Sequence, residues 1–314
     1  MTPTILIADD GSPAAEAALD TAASLFPGAR AIVLTVRPEP LRLHEVSAAA
    51  RVAVPDEVIS EGAAALDRKS AEAALATATR GAERAAAAGL DAEARTADAP
   101  GSSWRAIRDV AGDVAADVIA CGARRLGGVS RAMLGSTSSG LLQHGGRPVL
   151  IVHEGAPGVP GGPVVAGFDG SQPARVAIAS AARLLGQRET VVVTVWESAV
   201  SHSRSGRLLA AIPIEEIREM TRDLDEFYRG VHADLAAEGA ELAASCGLDA
   251  RAEAFEAEGK PWRGLLAAAR EYGASVVVAG SNGDSALAAA LLGSNSAGLV
   301  HNADVPVLVV PGDA

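Results

Sequence analysis

Short apolar runs rich in valine and isoleucine alternate along the chain with long alanine-rich stretches in which apolar positions recur at helical spacing. Continuous apolar runs of this length are typical of strands that are buried on both faces of a parallel sheet. The alternation predicts an α/β protein whose parallel sheet carries helices on both faces. The predicted strands span residues 3–9, 30–36, 92–97, 117–121, 148–153, 163–168, 190–195, 250–255, 275–279 and 306–311.

The same pattern occurs twice. Asp10-Gly11-Ser12, which follows the first strand, returns 159 residues later as Asp169-Gly170-Ser171. Gly135-Ser136 returns 158 residues later as Gly293-Ser294. A spacing this constant over a whole domain indicates a duplication.

The duplication predicts two tandem domains, at 1–154 and 163–314, joined by an extended Gly- and Pro-rich linker at 155–162. Each domain is expected to be a doubly wound, five-stranded parallel sheet with its fifth strand at an edge. In such folds ligands bind at the carboxyl ends of the strands, so the turn after each first strand faces the predicted binding site.

Composition narrows the class of protein. The formal net charge of −12 argues against a surface for nucleic acid or for anionic lipid. The two cysteines are far apart, which suits a reducing compartment, and the six histidines show no metal-ligand spacing. There is no basic leader and no apolar run long enough to span a bilayer. We therefore expect a soluble, cytoplasmic protein without a metal site, a nucleic-acid partner or a membrane anchor.

Glycines at fixed spacing follow the fourth strand of the second copy. Gly280 and Gly283 precede, after nine intervening residues, the pair Gly293-Ser294 that opens the next helix. Glycine permits a positive φ and a close approach of the backbone to a ligand. The N-terminus of the helix offers free N–H groups and a favourable dipole. The pattern therefore predicts a cradle for the phosphates of a nucleotide.

These glycines, with Asp169 at the end of the copy's first strand, resemble the universal stress protein family in its tandem, ATP-binding form. The resemblance covers both copies and implies the fold of that family, which is similar to the adenine nucleotide alpha hydrolases. It implies ATP contacts that run from the adenine through the ribose to the phosphates. These contacts are Gly167, Asp169, Val195, Gly280, Gly283, Gly293 and Ser294.

The resemblance has further implications for cofactor and partners. Magnesium would accompany the triphosphate. The fifth strands of the two domains would pair within one chain, while a homodimer is left open by the sequence. The liganded state would be recognised by a regulatory protein partner that the sequence does not identify.

The first copy departs from the pattern at Arg125, which stands where the second glycine belongs. The arginine side chain can block the position of the phosphates, or its guanidinium can donate paired hydrogen bonds to a phosphate. We expect weakened ATP binding in this copy, whose remaining candidate contacts are Asp10, Val36, Gly122, Gly135 and Ser136.

Other interpretations compete with this one. Asp9 and Asp10 are similar to the acidic pair of a receiver-like phospho-switch, although the first copy has only Lys69, which stands too early. No catalytic residue is evident, so we expect at most slow, weak ATPase activity. Trp104 and Trp262 either border the nucleotide or anchor packing. Lys260, beside Trp262, either reaches a phosphate or is solvated.

Overall fold

The structure is a computed structural model, and it describes residues 2–38, 56–99, 101–124, 134–156, 158–198, 214–281 and 292–312. Two residues of the predicted nucleotide sites, Arg125 and Gly283, lie outside the described residues. So do most residues of the long segments that follow the second strand of each copy.

Strands and helices alternate in both copies. The first copy comprises β1 (Thr4–Ala8), α1 (Pro13–Leu25), β2 (Arg30–Pro38), α2 (Asp56–Ala87), β3 (Asp91–Ala99), α3 (Ser103–Asp113), β4 (Val118–Ala123), α4 (Ser136–His144) and β5 (Val149–His153). The second comprises β6 (Val164–Gly167), α5 (Gln172–Leu185), β7 (Glu189–Trp196), α6 (Ile214–Ser245), β8 (Asp249–Glu256), α7 (Pro261–Glu271), β9 (Val276–Gly280), α8 (Ser294–Asn302) and β10 (Val307–Val310).

In the described part of the chain the strands form one ten-stranded sheet, in the order β3-β2-β1-β4-β5-β10-β9-β6-β7-β8. Strand pairs within a copy are parallel. β5 and β10 pair antiparallel, with Leu150 opposite Leu308. The prediction of two five-stranded parallel sheets whose fifth strands pair within the chain is therefore confirmed.

Hydrophobic cores lie on both faces of the sheet because successive residues of a strand point to opposite faces. Ile5 and Leu150 belong to the core on one face, and Leu6 and Ile151 belong to the core on the other. All four are 0% exposed. Each core continues from one domain into the other, since it also contains residues of β10.

The first helix of each domain starts at a tight turn. Gly11 and Gly170 adopt positive φ values of 72° and 77°, which glycine reaches without a steric penalty. The next residue caps the helix: Ser12 and Ser171 each accept a hydrogen bond, of 3.3 Å, from the backbone N–H three residues later. This turn brings the aspartate before each glycine to the carboxyl end of the sheet.

Polar contacts also join the domains beside the strand pairing, among them an ion pair of Arg183 with Asp117 at 2.6 Å. The Arg188 guanidinium donates to the carbonyl oxygens of Ser24 and Leu25, at 3.0 Å each, at the C-terminal end of α1. His153 Nε2 donates to the carbonyl of Val300 at 2.7 Å. The bonds of Arg188 and His153 satisfy helix carbonyls of one domain with side chains of the other.

The linker turns instead of running extended, which corrects the prediction. Gly155, Gly158 and Gly161 adopt positive φ values of 73°, 73° and 74°. The Gly162 N–H donates to the carbonyl of Val159 at 2.9 Å and closes a turn. The glycines of this segment therefore provide the positive φ values that its turns require.

The longest described helices, α2 and α6, have 32 residues each and carry charged residues along their length. Each buries a narrow alanine face against the sheet, with Ala78, Ala85, Ala236 and Ala243 at 0% exposure. Among the described helices, none combines the length with the apolar character that a membrane span requires.

Candidate functional site

A cavity of about 470 Å³ lies at the carboxyl ends of β6, β7 and β9 in the second domain. Its volume falls within the range of roughly 300–1,000 Å³ that is typical of ligand pockets. Six of the seven second-domain contacts that the sequence predicts line it: Gly167, Asp169, Val195, Gly280, Gly293 and Ser294. The seventh, Gly283, lies outside the described residues.

The polar end of this cavity is formed by the first turn of α8. Gly293 is the N-cap, and its N–H donates to the carbonyl of Ser281 at 2.8 Å. The next backbone N–H groups, from Ser294 onward, begin the helix beside the cavity and lack intrahelical acceptors. Asp169 also lines the cavity, and its Oδ1 accepts the N–H of Ser171 at 3.1 Å. The described lining thus combines a helix N-terminus that favours anions with one carboxylate, that of Asp169.

The first glycine of each motif is explained by packing. A Cβ built on Gly280 would lie 2.8 Å from the carbonyl oxygen of Pro173, and one on Gly122 would lie 2.7 Å from the backbone nitrogen of Ala15. These are backbone atoms of α5 and α1, which cannot move aside as a flexible side chain can. Neither glycine has a positive φ. The positive φ considered for the second-copy glycines is therefore not the reason for Gly280, and the small size of both residues is what lets the first helix lie against the strand end.

The first domain holds a cavity of about 170 Å³ at the equivalent place. It is lined by three of the predicted contacts: Asp10, Val36 and Gly122. The lining reaches α4 at Thr137 and Ser138, so the structure does not bring the other two predicted contacts, Gly135 and Ser136, into it. Gly135 is instead the N-cap of α4, and its carbonyl accepts the N–H of Ser139 at 3.0 Å.

An ion pair occupies the mouth of this smaller cavity. Arg124 Nη2 lies 3.1 Å from Asp10 Oδ2, and both residues line the cavity. Burial raises the pKa of Asp10, but hydrogen bonds from Ser12 and the charge of Arg124 outweigh it, so the pKa lies below its ordinary value. The equivalent Asp169 makes no ion pair within the described ranges. The two sites therefore differ in charge as well as in volume.

Asp9 is buried, at 7% exposure, and takes partners different from those of Asp10. Its Oδ1 accepts the N–H of Gly11 at 2.8 Å, and the side chain lies against Gly81 of α2. The second domain has Phe168 at the equivalent position, packed in the same way against Gly239. The described residues contain no cluster of three or more potential metal ligands. This arrangement gives the phospho-switch interpretation no support.

Replacing Asp9 by asparagine is expected to stabilise the protein at pH 7 and to have little effect at pH 3. Burial raises the pKa of Asp9, so the folded state binds more protons than the unfolded state above about pH 4 and loses stability as the pH rises through that window. Asparagine keeps the oxygen that accepts the Gly11 N–H. Urea unfolding at both pH values measures the effect, and an equal gain at both would show that the charge is not its cause.

Sequence reasoning missed a serine in each site. Ser296 Oγ donates to the carbonyl of Gly280 at 2.6 Å, and Ser138 Oγ donates to that of Gly122 at 3.4 Å. Each bond fixes the end of the fourth strand to the following helix. The repeat of these serines at the common 158-residue spacing is the signal that points to them. His232 of α6 also lines the larger cavity, and no local sequence motif predicts this position.

The two tryptophans pack against the helices that follow the glycine motifs. Trp104 lies against Gly140 of α4, and Trp262 lies against Gly298 of α8. Neither indole lines the 470 Å³ cavity or its smaller equivalent. The geometry therefore favours the interpretation of both residues as packing anchors.

Comparisons with known proteins agree with this geometry. A family model described as the Universal stress protein family matches residues 1–153 and 162–311. A universal stress protein of Mycobacterium tuberculosis is 28% identical over 202 residues, which cover 62% of this chain and 61% of that protein. The alignment thus spans about three fifths of the length of that curated relative.

A solved structure shows the same fold over the full chain. A universal stress protein from Archaeoglobus fulgidus has a TM-score of 0.62 and 20% identity, with 99% of both chains covered. A universal stress protein solved in complex with cAMP has a TM-score of 0.32 and 24% identity, with 48% of this chain and 96% of that chain covered. Since the family model matches both halves and nearly the full length, the chain belongs to the universal stress protein family.

Proposed function

We propose that the protein is a cytoplasmic, ATP-binding regulatory module whose nucleotide site lies in the second domain. The observation that carries the proposal is the 470 Å³ cavity, whose lining includes Asp169 and Val195 together with the first turn of α8. The site lies at the carboxyl ends of the strands, where doubly wound folds bind ligands. The two unpaired cysteines, Cys121 and Cys246, are compatible with a reducing compartment.

These lining residues suit the two ends of a nucleotide. The Asp169 carboxylate is an acceptor for the donor groups of a base or ribose. Gly293 and Ser294 present backbone N–H groups and a hydroxyl at the helix N-terminus, where a phosphate is favoured. Magnesium would accompany the phosphates, because Mg²⁺ is usually bound through the phosphates of its substrate and through water.

In this proposal the first domain chiefly supports the second. Its cavity is smaller, and the candidate adenine ligand Asp10 is paired with Arg124. A nucleotide would have to displace that ion pair before it could use the carboxylate. The continuous sheet through β5 and β10 gives the first domain a structural role that needs no ligand.

We propose that the site binds ATP without turning it over, and that a partner protein recognises the liganded state. The proposal is supported by the sequence, in which no catalytic motif is evident. Purified protein with ATP and magnesium is expected to release phosphate no faster than its Asp169→Ala variant. Turnover that this substitution abolishes would replace the proposal with an ATPase.

The full-length protein is expected to bind about one ATP per chain, and Asp169→Ala is expected to weaken that binding at least about tenfold. Loss of a hydrogen bond to a charged group is typically worth about 1.5–3 kcal/mol. Isothermal titration calorimetry of nucleotide-free protein gives both quantities, with cAMP as a competing nucleotide.

Asp10→Ala is the matched control, because it removes the same type of turn contact, Asp10 Oδ1 with the Ser12 N–H at 3.0 Å, in the other domain. It is expected to leave ATP affinity within about twofold of the wild type. Two equivalent sites, each lost with its own aspartate, would contradict the asymmetry. No binding of any nucleotide would contradict the function.

A further inference from the structure

A second cavity, of about 390 Å³, adjoins the candidate nucleotide site. It lies between the start of α7 and the face of α8, and we call it the basic cavity. Its described lining is Lys260, Trp262, Arg263, Ser294, Ala297, Gly298, His301 and Asn302. This lining contains two formal positive charges and no carboxylate, in a protein whose net charge is −12.

Among the described residues, neither Lys260 nor Arg263 of the basic cavity forms an ion pair with a carboxylate. Lys260 is the N-cap residue of α7, but its side chain makes no capping hydrogen bond and no ion pair among the described residues. The Arg263 guanidinium lies 5.3 Å from the centre of the Trp262 ring, and this ring packs against Gly298. A cation on an aromatic face keeps its N–H donors available at the ring edge. The cavity is thus suited to an anion.

Ser294 connects the two cavities, because it lines both of them. It is also the first residue of α8, directly after the N-cap Gly293, where phosphates are expected in the proposed function. A phosphate chain that passes Ser294 therefore leads from the nucleotide cavity toward Lys260 and Arg263.

We propose that the basic cavity binds the outermost phosphate of the nucleotide, and that Lys260 and Arg263 make the protein select nucleoside triphosphates over monophosphates. This inference rests on the proposed function. It assigns to the second domain a tail-binding subsite formed by α7 and α8, outside the glycine motif.

The first domain provides an internal comparison at the same structural positions. Ser102 replaces Lys260 and Gln143 replaces His301, at the common 158-residue spacing. The ring of His144 lies 5.1 Å from that of Trp104 and covers part of the indole. Of the two formal positive charges, Lys260 is therefore specific to the second domain, whereas Arg263 has an equivalent in Arg105 of the first domain.

The test is calorimetry of ATP, ADP and AMP on the nucleotide-free, full-length protein. Lys260→Ala is expected to weaken ATP binding about tenfold and to leave AMP binding within about twofold, because only the longer chain reaches the ammonium group. Lys260→Arg is expected to restore most of the ATP affinity, since it restores the charge.

Arg105→Ala is the matched control. Arg105 lies on the Trp104 ring at 4.9 Å, as Arg263 lies on that of Trp262, so the substitution removes the same contact from the first domain. It is expected to leave the ratio of ATP to AMP affinity unchanged. If Lys260→Ala also leaves that ratio unchanged while wild type binds ATP, the tail-binding inference is wrong and the proposed function stands.

A second arm tests whether the basic cavity takes a separate anion. Inorganic phosphate is titrated into ATP-saturated wild type and into ATP-saturated Lys260→Ala. Phosphate binding that depends on Lys260 under these conditions would overturn the inference, because the terminal phosphate of ATP should already fill the cavity. Wild type that binds none of the three nucleotides would overturn both the inference and the proposed function.

Discussion

Gly122→Ala is expected to destabilise the protein by about 3 kcal/mol, near the upper end of the cost of overpacking a core. The new methyl group would lie 2.7 Å from the backbone nitrogen of Ala15, and relief requires α1 to move away from β4. Because α1 covers β4 and β5, that movement also disturbs the core of the first domain. Equilibrium unfolding in urea, followed by circular dichroism, measures the loss.

Gly112→Ala is the control for this prediction. Gly112 lies in α3, and a Cβ on it would meet nothing within 4 Å. Alanine there is expected to stabilise the protein by up to about 1 kcal/mol through its higher helix propensity. A loss of stability for Gly112→Ala that matches the loss for Gly122→Ala would show that close packing of the first helix is not the reason for the glycine.

Truncating the leucine pair at the junction of β5 and β10 is the second large effect that we expect. Leu150 and Leu308 stand opposite each other, are both 0% exposed and belong to the same core. Each leucine-to-alanine change is expected to cost about 2–5 kcal/mol. The double variant should lose less than the sum of the single variants, because both changes empty one shared space.

Val192→Ala supplies the control pair. Val192 is also 0% exposed, but it lies in β7, three strands away from β10. Combined with Leu150→Ala, it is expected to be additive within about 0.5 kcal/mol, whereas Leu150 and Leu308 should couple by about 0.5–3 kcal/mol. Equal additivity of both pairs in urea unfolding would show that the domains do not share a core at the junction.

The sequence predicts the strands and the capped first helices well because their signals are local. A buried parallel strand appears as an apolar run, and the Asp-Gly-Ser turn carries both the positive φ at Gly11 and the cap at Ser12. The pairing of β5 with β10 is implied by the family resemblance and not by a local signal, and its antiparallel direction is seen only in the structure. Six contacts of the second site follow from the glycine pattern together with that resemblance.

The remainder depends on distances between elements far apart in sequence. Nothing in the residues around Gly280 reveals that the backbone of Pro173 passes beside it. His232 reaches the cavity only because α6 crosses the sheet at that point. Gly135 and Ser136 match their second-domain equivalents in spacing, yet the first cavity meets α4 only at Thr137 and Ser138. The spacing of the residues predicts that the motif recurs in both domains, but it does not predict the volume of the cavity beside each copy.

The junction of β5 with β10 is formed within one chain, so the fraction of molecules in which the two strands are paired does not depend on protein concentration. Two separate domains that paired through the same edge strands would dissociate on dilution. If both came from one gene, they would also have identical sequences. Fusion keeps one domain of each kind together at any concentration. The Asp10–Arg124 ion pair can therefore close one site while the neighbouring site retains its supporting surface.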